Sequence, residues 1–302
     1  MPEPGLPDLG STLRVLHPAP GILAFYDGRI EGVRAWSAGA NWLDDGAYVL
    51  GVCTYAVVSG KDALVYDTHI SPAHARIVRD TLERQGVTDI RVVLSHWHRD
   101  HVAGNEVFAD CEIIAHALTL KALQDNREAM EAGDPPIRPL VLPTATYEGS
   151  MRLEVGPVEV ELRHADIHSH DGTVLLLTET GLMLAGDTLE DPITYVAEPG
   201  RLEIHLESLR RMAEWPVSRI LPDHGDPQVI AAGGYGPGFI DATARYVGKL
   251  LTCRNDPVLA GAPLRDWIAE DVAAGSVTYF QPYEEVHRRN VETVLGKGRE
   301  SE

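Results

Sequence analysis

One short segment, Ser95-His96-Trp97-His98-Arg99-Asp100-His101, constrains the fold of this chain more than any other feature. It directly follows the apolar run at residues 90–94, which is typical of a buried strand. Within six residues it brings together three imidazoles and a carboxylate, side chains that bind divalent cations accepting nitrogen and oxygen donors. With 13 histidines among 302 residues, chance produces such a cluster in only roughly one chain in several hundred. We therefore expect a strand that delivers a metal-binding loop to the edge of a sheet.

Composition and charge exclude several classes of protein. A chain of 302 residues with 44% hydrophobic content can bury a large core. Its net charge of −19, without any basic block, would repel a phosphate backbone, so we expect no nucleic-acid partner. The start of the chain lacks a basic, apolar leader, and no window approaches the ~20 apolar residues of a membrane span. We therefore expect a cytoplasmic protein without a membrane partner, and its three cysteines, scattered and odd in number, do not suggest disulfides.

Strand and helix patterns alternate along most of the chain. Residues 48–67 predict a hairpin, and Ser71-Pro72 predicts the start of a helix that Gly86 ends. A helix is expected over residues 117–132, short strands between residues 151 and 185, a helix over 202–215 and a last strand at 219–221. Further helices follow around 241–251, 264–274 and 283–295. We expect a single domain, 1–302, with a core of about 20–232 and a helical C-terminal extension of about 233–302.

Additional donors follow other apolar runs. Asp187 comes directly after residues 182–184, and His224 follows the strand expected at residues 219–221. A further group of histidines, His164, His168 and His170, lies just before Asp171-Gly172-Thr173. Two cations held close together require such donors in addition to the first cluster, including a carboxylate that can bridge them.

The order of these motifs resembles the metallo-β-lactamase superfamily from about residue 48 to residue 226. The resemblance rests on His-x-His-x-Asp-His, a later His before Asp-Gly-Thr, a Gly-Asp pair and a His-Gly loop. It implies an α+β fold, an αββα sandwich of two mixed β-sheets flanked by helices, with a binuclear metal site at one edge. By the same resemblance, one metal is held by His96, His98 and His168, the other by Asp100, His101 and His224, and Asp187 bridges both.

The family loop favours His168 over the neighbouring histidines, because its distance to Asp171 fits. His164 would close the preceding strand, and His170 stands where a proline is common. Two departures from the family pattern are Ile167, in place of the usual glycine, and Ser95, in place of a frequent threonine. Asp67 matches a family aspartate that supports the ligand loop through hydrogen bonds. The remaining histidines are expected on the surface or in the core: His17, His69, His74, His116, His205 and His287.

The resemblance implies a binuclear zinc-dependent hydrolase acting on a small-molecule substrate. Two Zn²⁺ ions per chain are expected, with iron or manganese as alternative occupants, and no other cofactor. The bond cleaved would be an ester, lactone, thioester or amide, attacked by a metal-bound hydroxide. Asp100 would orient the nucleophile and accept its proton, and Tyr195, in the insert at residues 190–201, is a candidate proton donor to the leaving group. The oligomeric state is open.

Two alternatives use the same ligand pattern. Persulfide dioxygenases of this superfamily bind a single iron through positions equivalent to His96, His168 and Asp187. A β-lactamase is less favoured, because the chain has neither a secretion signal nor a lysine beside Asp187 to hold a substrate carboxylate.

Overall fold

Two β-sheets pack face to face in the computed structural model, which describes residues 1–296. The first sheet contains, in spatial order, β1 (Arg14–Ala19), β2 (Ile22–Asp27), β3 (Val52–Ser59), β4 (Asp62–Tyr66), β5 (Asp89–Val93), β6 (Glu112–His116) and β7 (Ala145–Tyr147). Its strands are antiparallel from β1 to β4 and parallel from β4 to β7.

The second sheet is mostly antiparallel. It contains β8 (Ser150–Val155), β9 (Val158–His164), β10 (Thr173–Leu177), β11 (Leu182–Gly186) and β12 (Arg219–Pro222), in the spatial order β12-β11-β10-β9-β8. Its one parallel pair within the described residues is β11 with β12. Both sheets are therefore mixed, as predicted.

Helices cover both outer faces of the sandwich. They are α1 (Tyr48–Leu50), α2 (Pro72–Arg84), α3 (Arg99–Val102), α4 (Ala117–Asp125), α5 (Arg127–Glu131), α6 (Leu202–Met212), α7 (Pro227–Ala231), α8 (Gly238–Cys253), α9 (Pro257–Ala260), α10 (Leu264–Trp267), α11 (Ala269–Ala273) and α12 (Tyr283–Val294). A π-helical turn, Leu43–Ala47, runs into α1, and 3₁₀ turns occupy Asn105–Phe108 and Pro199–Arg201. The αββα sandwich expected from the sequence is confirmed.

The central core lies between the two sheets. Leu64 and Val93 of the first sheet pack in the same buried cluster as Leu162, Leu175 and Leu184 of the second. Each such leucine, once fully buried, stabilises the fold by roughly 1.5–3 kcal/mol relative to exposure. This layer joins the sheets rigidly enough for loops from both to share one site.

Helix α2 shows how local sequence sets an element. The Ser71 side chain accepts a hydrogen bond from the backbone N–H of His74 at 3.3 Å, and Pro72 occupies the first helical turn. Val78 and Leu82 are buried against the outer face of the first sheet. Gly86, at φ 89°, follows the end of the helix in the left-handed conformation that glycine adopts without strain.

Several elements differ from the sequence-based expectation. The expected helix over residues 117–132 divides into α4 and α5 at Asn126, whose side chain donates to the Ala122 carbonyl at 2.9 Å and so competes with the helical backbone. The expected helix over residues 264–274 likewise divides at Ile268, between α10 and α11. Tyr48 lies in α1 rather than in the hairpin, and the β1–β2 hairpin was not predicted.

The helices that follow residue 232 pack on the second sheet. Phe239 and Tyr246 of α8 and Val291 of α12 belong to the buried cluster that covers the outer face of β10 and β11. That the chain is a single domain stays a prediction. Among residues 1–296, no helix is both long and apolar enough to cross a bilayer.

Candidate metal centre

The candidate site lies where the carboxyl ends of two parallel strand pairs meet. The parallel pair β4 and β5 ends in Asp67 and the loop that starts at Ser95, and the parallel pair β11 and β12 ends in Asp187 and His224. Two backbone hydrogen bonds join the sheets at this edge, from Cys53 to the Asp223 carbonyl and from Thr173 to the Ser95 carbonyl, each at 2.7 Å. The topology therefore collects loops from both sheets in one place.

All seven side chains that the resemblance implied as ligands come together at this edge. They form two groups that share Asp187, and within each group the candidate ligand atoms lie within 4.8 Å of one another. One group is His96, His98, His168 and Asp187, and the other is Asp100, His101, Asp187 and His224. His98 and Asp100 are partly exposed and the other five are buried. The arrangement has the donors for two neighbouring cations.

The Oδ2 atom of Asp187 is the centre of the site. It lies 3.7 Å from His96 Nε2 and 3.6 Å from His168 Nε2. On the other side it lies 3.2 Å from His101 Nε2 and 3.4 Å from His224 Nε2. One carboxylate oxygen thus faces two pairs of imidazole nitrogens, one pair from each group.

Two atoms of the site, His96 Nε2 and the second carboxylate oxygen of Asp187, Oδ1, are buried without a hydrogen-bond partner. An unsatisfied buried polar atom costs about 1–3 kcal/mol, so it calls for an explanation. Imidazole nitrogens and carboxylate oxygens are donors that zinc accepts, and iron and manganese accept the same set. The residues present therefore fit divalent metal ions.

Backbone carbonyls orient two of the histidines. His168 Nδ1 donates to the Tyr195 carbonyl at 3.0 Å, and His224 Nδ1 donates to the Gly51 carbonyl at 2.6 Å. Because a carbonyl oxygen only accepts, each Nδ1 carries the proton. Each Nε2 then faces the other donors: that of His168 lies 2.9 Å from His98 Nδ1, and that of His224 lies 3.2 Å from Asp100 Oδ2. A bound metal would take the place of these contacts, as in histidine ligands whose outer nitrogen is hydrogen-bonded.

Asp67, at the end of β4 in the first sheet, orients two more of the five histidines, His101 directly and His96 through Ser95. Its carboxylate accepts from the Ser95 backbone N–H at 2.6 Å, from the Ser95 hydroxyl at 2.5 Å and from His101 Nδ1 at 2.9 Å. Since the Ser95 hydroxyl donates to Asp67, it accepts from His96 Nδ1 at 2.9 Å. The supporting contacts expected for Asp67 are therefore present, and they leave His96 Nε2 facing the site.

The histidines of the site differ in the direction of their pKa shifts. Burial, and then the neighbouring His168, lowers the pKa of His98 to about 3, and burial holds the pKa of His96 well below its usual range. Burial alone would also lower the pKa values of His101 and His224, but the adjacent carboxylates, including that of Asp187, raise both well above the usual value. Without metal, these directions favour neutral rings at His96 and His98, and protonated rings paired with carboxylates at His101 and His224.

The neighbours of His168 have other partners. His164 Nε2 donates to the carbonyl of His170 at 2.8 Å, and its ring stacks on His116 with 4.3 Å between centroids. His170 Nδ1 lies 2.6 Å from Glu198 Oε1. His168 itself adopts φ 64°, a left-handed conformation that is uncommon outside glycine. The structure thus brings His168, and neither His164 nor His170, to the donor groups.

Two further acidic residues contact the ligands and were not singled out from the sequence. Asp223 Oδ2 lies 3.2 Å from His101 Nδ1, and burial raises the pKa of Asp223 well above its usual value. Glu190 Oε1 lies 3.4 Å from His168 Nδ1; burial would lower the pKa of His168, but this carboxylate raises it. Their only sequence signal is proximity, since each lies within three residues of a candidate ligand.

Tyr195 contacts the site through its backbone. Its ring centroid lies 6.4 Å from that of His168, and its side chain packs in part against the core outside the second sheet. A catalytic role for its hydroxyl stays a prediction.

A separate group of potential donors, Asp166, Glu198 and His205, lies outside this centre. Arg201 donates to both carboxylate oxygens of Asp166 and lies 3.4 Å from Glu198, so a cation already occupies the position between them.

Comparison with known proteins agrees with this geometry. A family model described as "Metallo-beta-lactamase superfamily" matches residues 47–224. The atrochrysone carboxyl ACP thioesterase of Emericella nidulans is 26% identical over 178 residues, which are 58% of this chain and 52% of that protein. The beta-lactamase-like protein 2 homolog of Drosophila melanogaster is 25% identical over 186 residues, 58% of this chain and 59% of that protein. The chain thus spans about half the length of the curated relatives it matches.

Solved structures show the same architecture. The DIM-1 metallo-beta-lactamase exposed to ceftazidime superposes with a TM-score of 0.56 at 17% identity, covering 78% of this chain and 98% of that one. The metallo-beta-lactamase from Pontibacter korlensis gives 0.55 at 14% identity, covering 76% and 99%. At these identities the likeness concerns the fold alone. Because the family model covers more than half of the chain and includes all seven candidate ligands, the chain belongs to the metallo-beta-lactamase superfamily.

Proposed function

We propose that this chain is a binuclear zinc-dependent hydrolase that cleaves a thioester or a related acyl bond of a small molecule. The observation that carries the proposal is Asp187 Oδ2, which faces two imidazole nitrogens of each donor group. A single structural cation would need only one such group. A bridging carboxylate with donors on both sides suits two cations that act together.

The residues divide into holding and reacting roles. His96, His98 and His168 would hold one cation, Asp100, His101 and His224 the other, and Asp187 would contact both. Bound divalent cations supply Lewis acidity and lower the pKa of a coordinated water to about 7. Asp100 is partly exposed. Burial raises its pKa, but the neighbouring His101 lowers it further and holds it well below the usual value. Its carboxylate is thus ionised and able to orient an attacking water.

The thioester is favoured among the acyl bonds by two arguments. Relatives of this chain include proteins named as thioesterases, among them thioesterase pkgB of Emericella nidulans, which is 28% identical over 190 residues. A thiol also has a pKa of about 8.5, so a thiolate departs with little help from a proton donor. Cleavage of a thioester therefore has the least need of a proton from the Tyr195 hydroxyl. The Tyr195 contact with His168 is made by its backbone carbonyl. An ester, lactone or amide would demand more of its hydroxyl.

The partners and location belong to the same proposal. The net charge of −19 supports a small-molecule substrate over a nucleic acid. A cytoplasmic location would give the enzyme access to intracellular thioesters.

The test combines metal quantification with a substrate screen. The purified protein would be loaded with zinc and assayed against thioesters, aryl esters, lactones and β-lactams, with and without oxygen. Two zinc ions per chain and oxygen-independent thioester cleavage would support the proposal. One iron per chain with oxygen uptake on a persulfide would favour the dioxygenase instead, and a preference for β-lactams would favour a β-lactamase.

Asp100→Asn serves as the mechanistic variant in this screen. It keeps the size of the side chain but removes its charge, so we expect a folded protein whose turnover falls by about 10²-fold or more. Wild-type turnover in this variant would contradict the role given to Asp100.

A further inference from the structure

A buried side chain of the C-terminal helix α12 holds the loop that follows Asp187. Asn290 is fully buried, and its Nδ2 donates to the Thr194 carbonyl at 3.0 Å. Its Oδ1 accepts from the Val196 backbone N–H at 2.9 Å. The Asn290 side-chain amide thus hydrogen-bonds the backbone on both sides of Tyr195.

Tyr195, which lies between the two residues that Asn290 contacts, orients His168. The Tyr195 carbonyl accepts from His168 Nδ1 at 3.0 Å. The Tyr195 backbone N–H donates to Glu190 Oε1 at 2.9 Å, and that oxygen lies 3.4 Å from the same His168 nitrogen. A shift of residues 194–196 would therefore move both groups that face the outer nitrogen of His168.

Asn290 also contacts helix α8. Its Nδ2 also donates to the Tyr246 hydroxyl of α8 at 3.1 Å. That hydroxyl lies 3.1 Å from His287 Nδ1, and His287 Nε2 lies 3.1 Å from the Ala262 carbonyl. Asn290 makes two donor bonds and accepts one, and a buried polar network with its groups satisfied is rigid. The C-terminal helices thus form a fixed support behind the loop.

We propose that Asn290 is a positioning residue for His168, and that the C-terminal helices, which lie outside the family match at residues 47–224, complete the metal centre. This inference rests on the proposed function, since it concerns the imidazole that would hold one of the two cations. Loss of an outer partner of a metal ligand typically costs about 10–100-fold in metal affinity. Asn290 acts one contact further out, so we expect a weakening of about tenfold, confined to the cation held by His96, His98 and His168.

Two substitutions and one control separate positioning from general stability. Asn290→Leu keeps the branched shape and the number of heavy atoms but makes neither hydrogen bond to the loop, and Asn290→Ala is the second variant if the larger leucine prevents folding. Tyr246→Phe is the control, because it removes a buried hydroxyl from the same network and leaves both bonds from Asn290 to residues 194–196 in place.

The experiment measures zinc release and hydrogen exchange on the zinc-loaded full chain. With a chromogenic chelator, we expect either Asn290 variant to lose one zinc ion at about tenfold lower chelator concentration than wild type, while the other ion resembles wild type. The Tyr246→Phe variant, which keeps both bonds to the loop, should show a clearly smaller change. Backbone amides of residues 194–196 should exchange faster in the Asn290 variants than in Tyr246→Phe or wild type.

The possible failures are distinguishable. Faster exchange at residues 194–196 with unchanged release of both zinc ions would overturn the positioning role, as would equal weakening of both ions. A wild-type protein that binds no zinc would instead refute the proposed function, and it would do so before any variant is compared.

Discussion

The carboxylate of Asp187 lies at the centre of the candidate metal site. Its Oδ2 lies between four imidazole nitrogens, at 3.2 to 3.7 Å, while its Oδ1 is buried without a hydrogen-bond partner. A buried carboxylate with this environment is costly unless opposite charge compensates it. Imidazolium groups do so without metal, and cations would do so in their place.

Asp187→Ala should therefore abolish function without unfolding the protein. We expect zinc content to fall below two per chain and turnover to fall by more than the roughly 100-fold that loss of an outer partner costs. Circular dichroism would check the fold, and Asp125→Asn, an exposed carboxylate paired with Lys121 on α4, is the control. Full zinc content and normal turnover in Asp187→Ala would contradict the site.

Metal binding should compete with protons. Burial lowers the pKa values of His101 and His224, but the nearby carboxylates raise both well above the usual value, which favours protonated rings in the metal-free protein. Zinc must displace these protons, so its affinity should rise as pH rises and fall as pH falls. Calorimetry at pH 7 in buffers of different ionisation enthalpy should show net proton release. Equal zinc affinity at pH 6 and pH 8 would speak against this coupling.

At the scale of elements, the end of β11 leaves little room for a side chain at Gly186. Gly186 adopts φ 55°, and a Cβ added there would lie 2.9 Å from Ser95 Cβ and 3.0 Å from the Tyr66 hydroxyl. The contact is with the residue that precedes the first ligand loop. Backbone conformation and close packing both favour glycine directly before Asp187.

Gly186→Ala is expected to destabilise the sandwich and displace the ligand loop. We compare it with Gly60→Ala, which has a similar φ of 62° but open space around the added Cβ. The free energy of unfolding in urea should fall by about 1–3 kcal/mol more in Gly186→Ala than in Gly60→Ala, the cost typical of overpacking. Equal losses would show that backbone strain alone matters, and that Ser95 accommodates the methyl group.

Elements with strong local signals were predictable. The serine cap, proline and terminal glycine of α2 agree with the structure because each acts within one helical turn. The β1–β2 hairpin carries no comparable signal, since β2 is buried along its whole length and β1 contains a proline. The break at Asn126 depends on one side chain that prefers its own bond to the backbone.

At the scale of the whole molecule, the net negative charge should affect how anions approach. The net charge of −19 repels anions over roughly 8–10 Å at physiological salt and farther at low salt. Anionic thioesters, such as acyl groups on a nucleotide carrier, should therefore meet a barrier that neutral thioesters do not.

Ionic strength should reveal that barrier. Raising salt from about 0.01 M to about 0.15 M, which shortens the screening length from about 30 Å to about 8 Å, should increase kcat/KM for an acyl-coenzyme A. The same change should leave kcat/KM for the matching neutral thioester nearly constant. A decrease for the anionic substrate would instead indicate an attractive positive region around the site.

The candidate ligands could be named from the sequence because donor chemistry belongs to the side chain itself. Residue type, order and position after apolar strands identify the run from His96 to His101, and then Asp187 and His224, as candidate ligands. Tertiary structure brings His168, which the family resemblance favoured, to the site, and it alone decided which atom of Asp187 lies at the centre. It also placed the Gly51 and Tyr195 carbonyls against two of the histidines, and the Asn290 amide against the loop that contains Tyr195. Every residue has a carbonyl, so such a partner leaves no mark in the sequence, and only the packing of distant segments can select it.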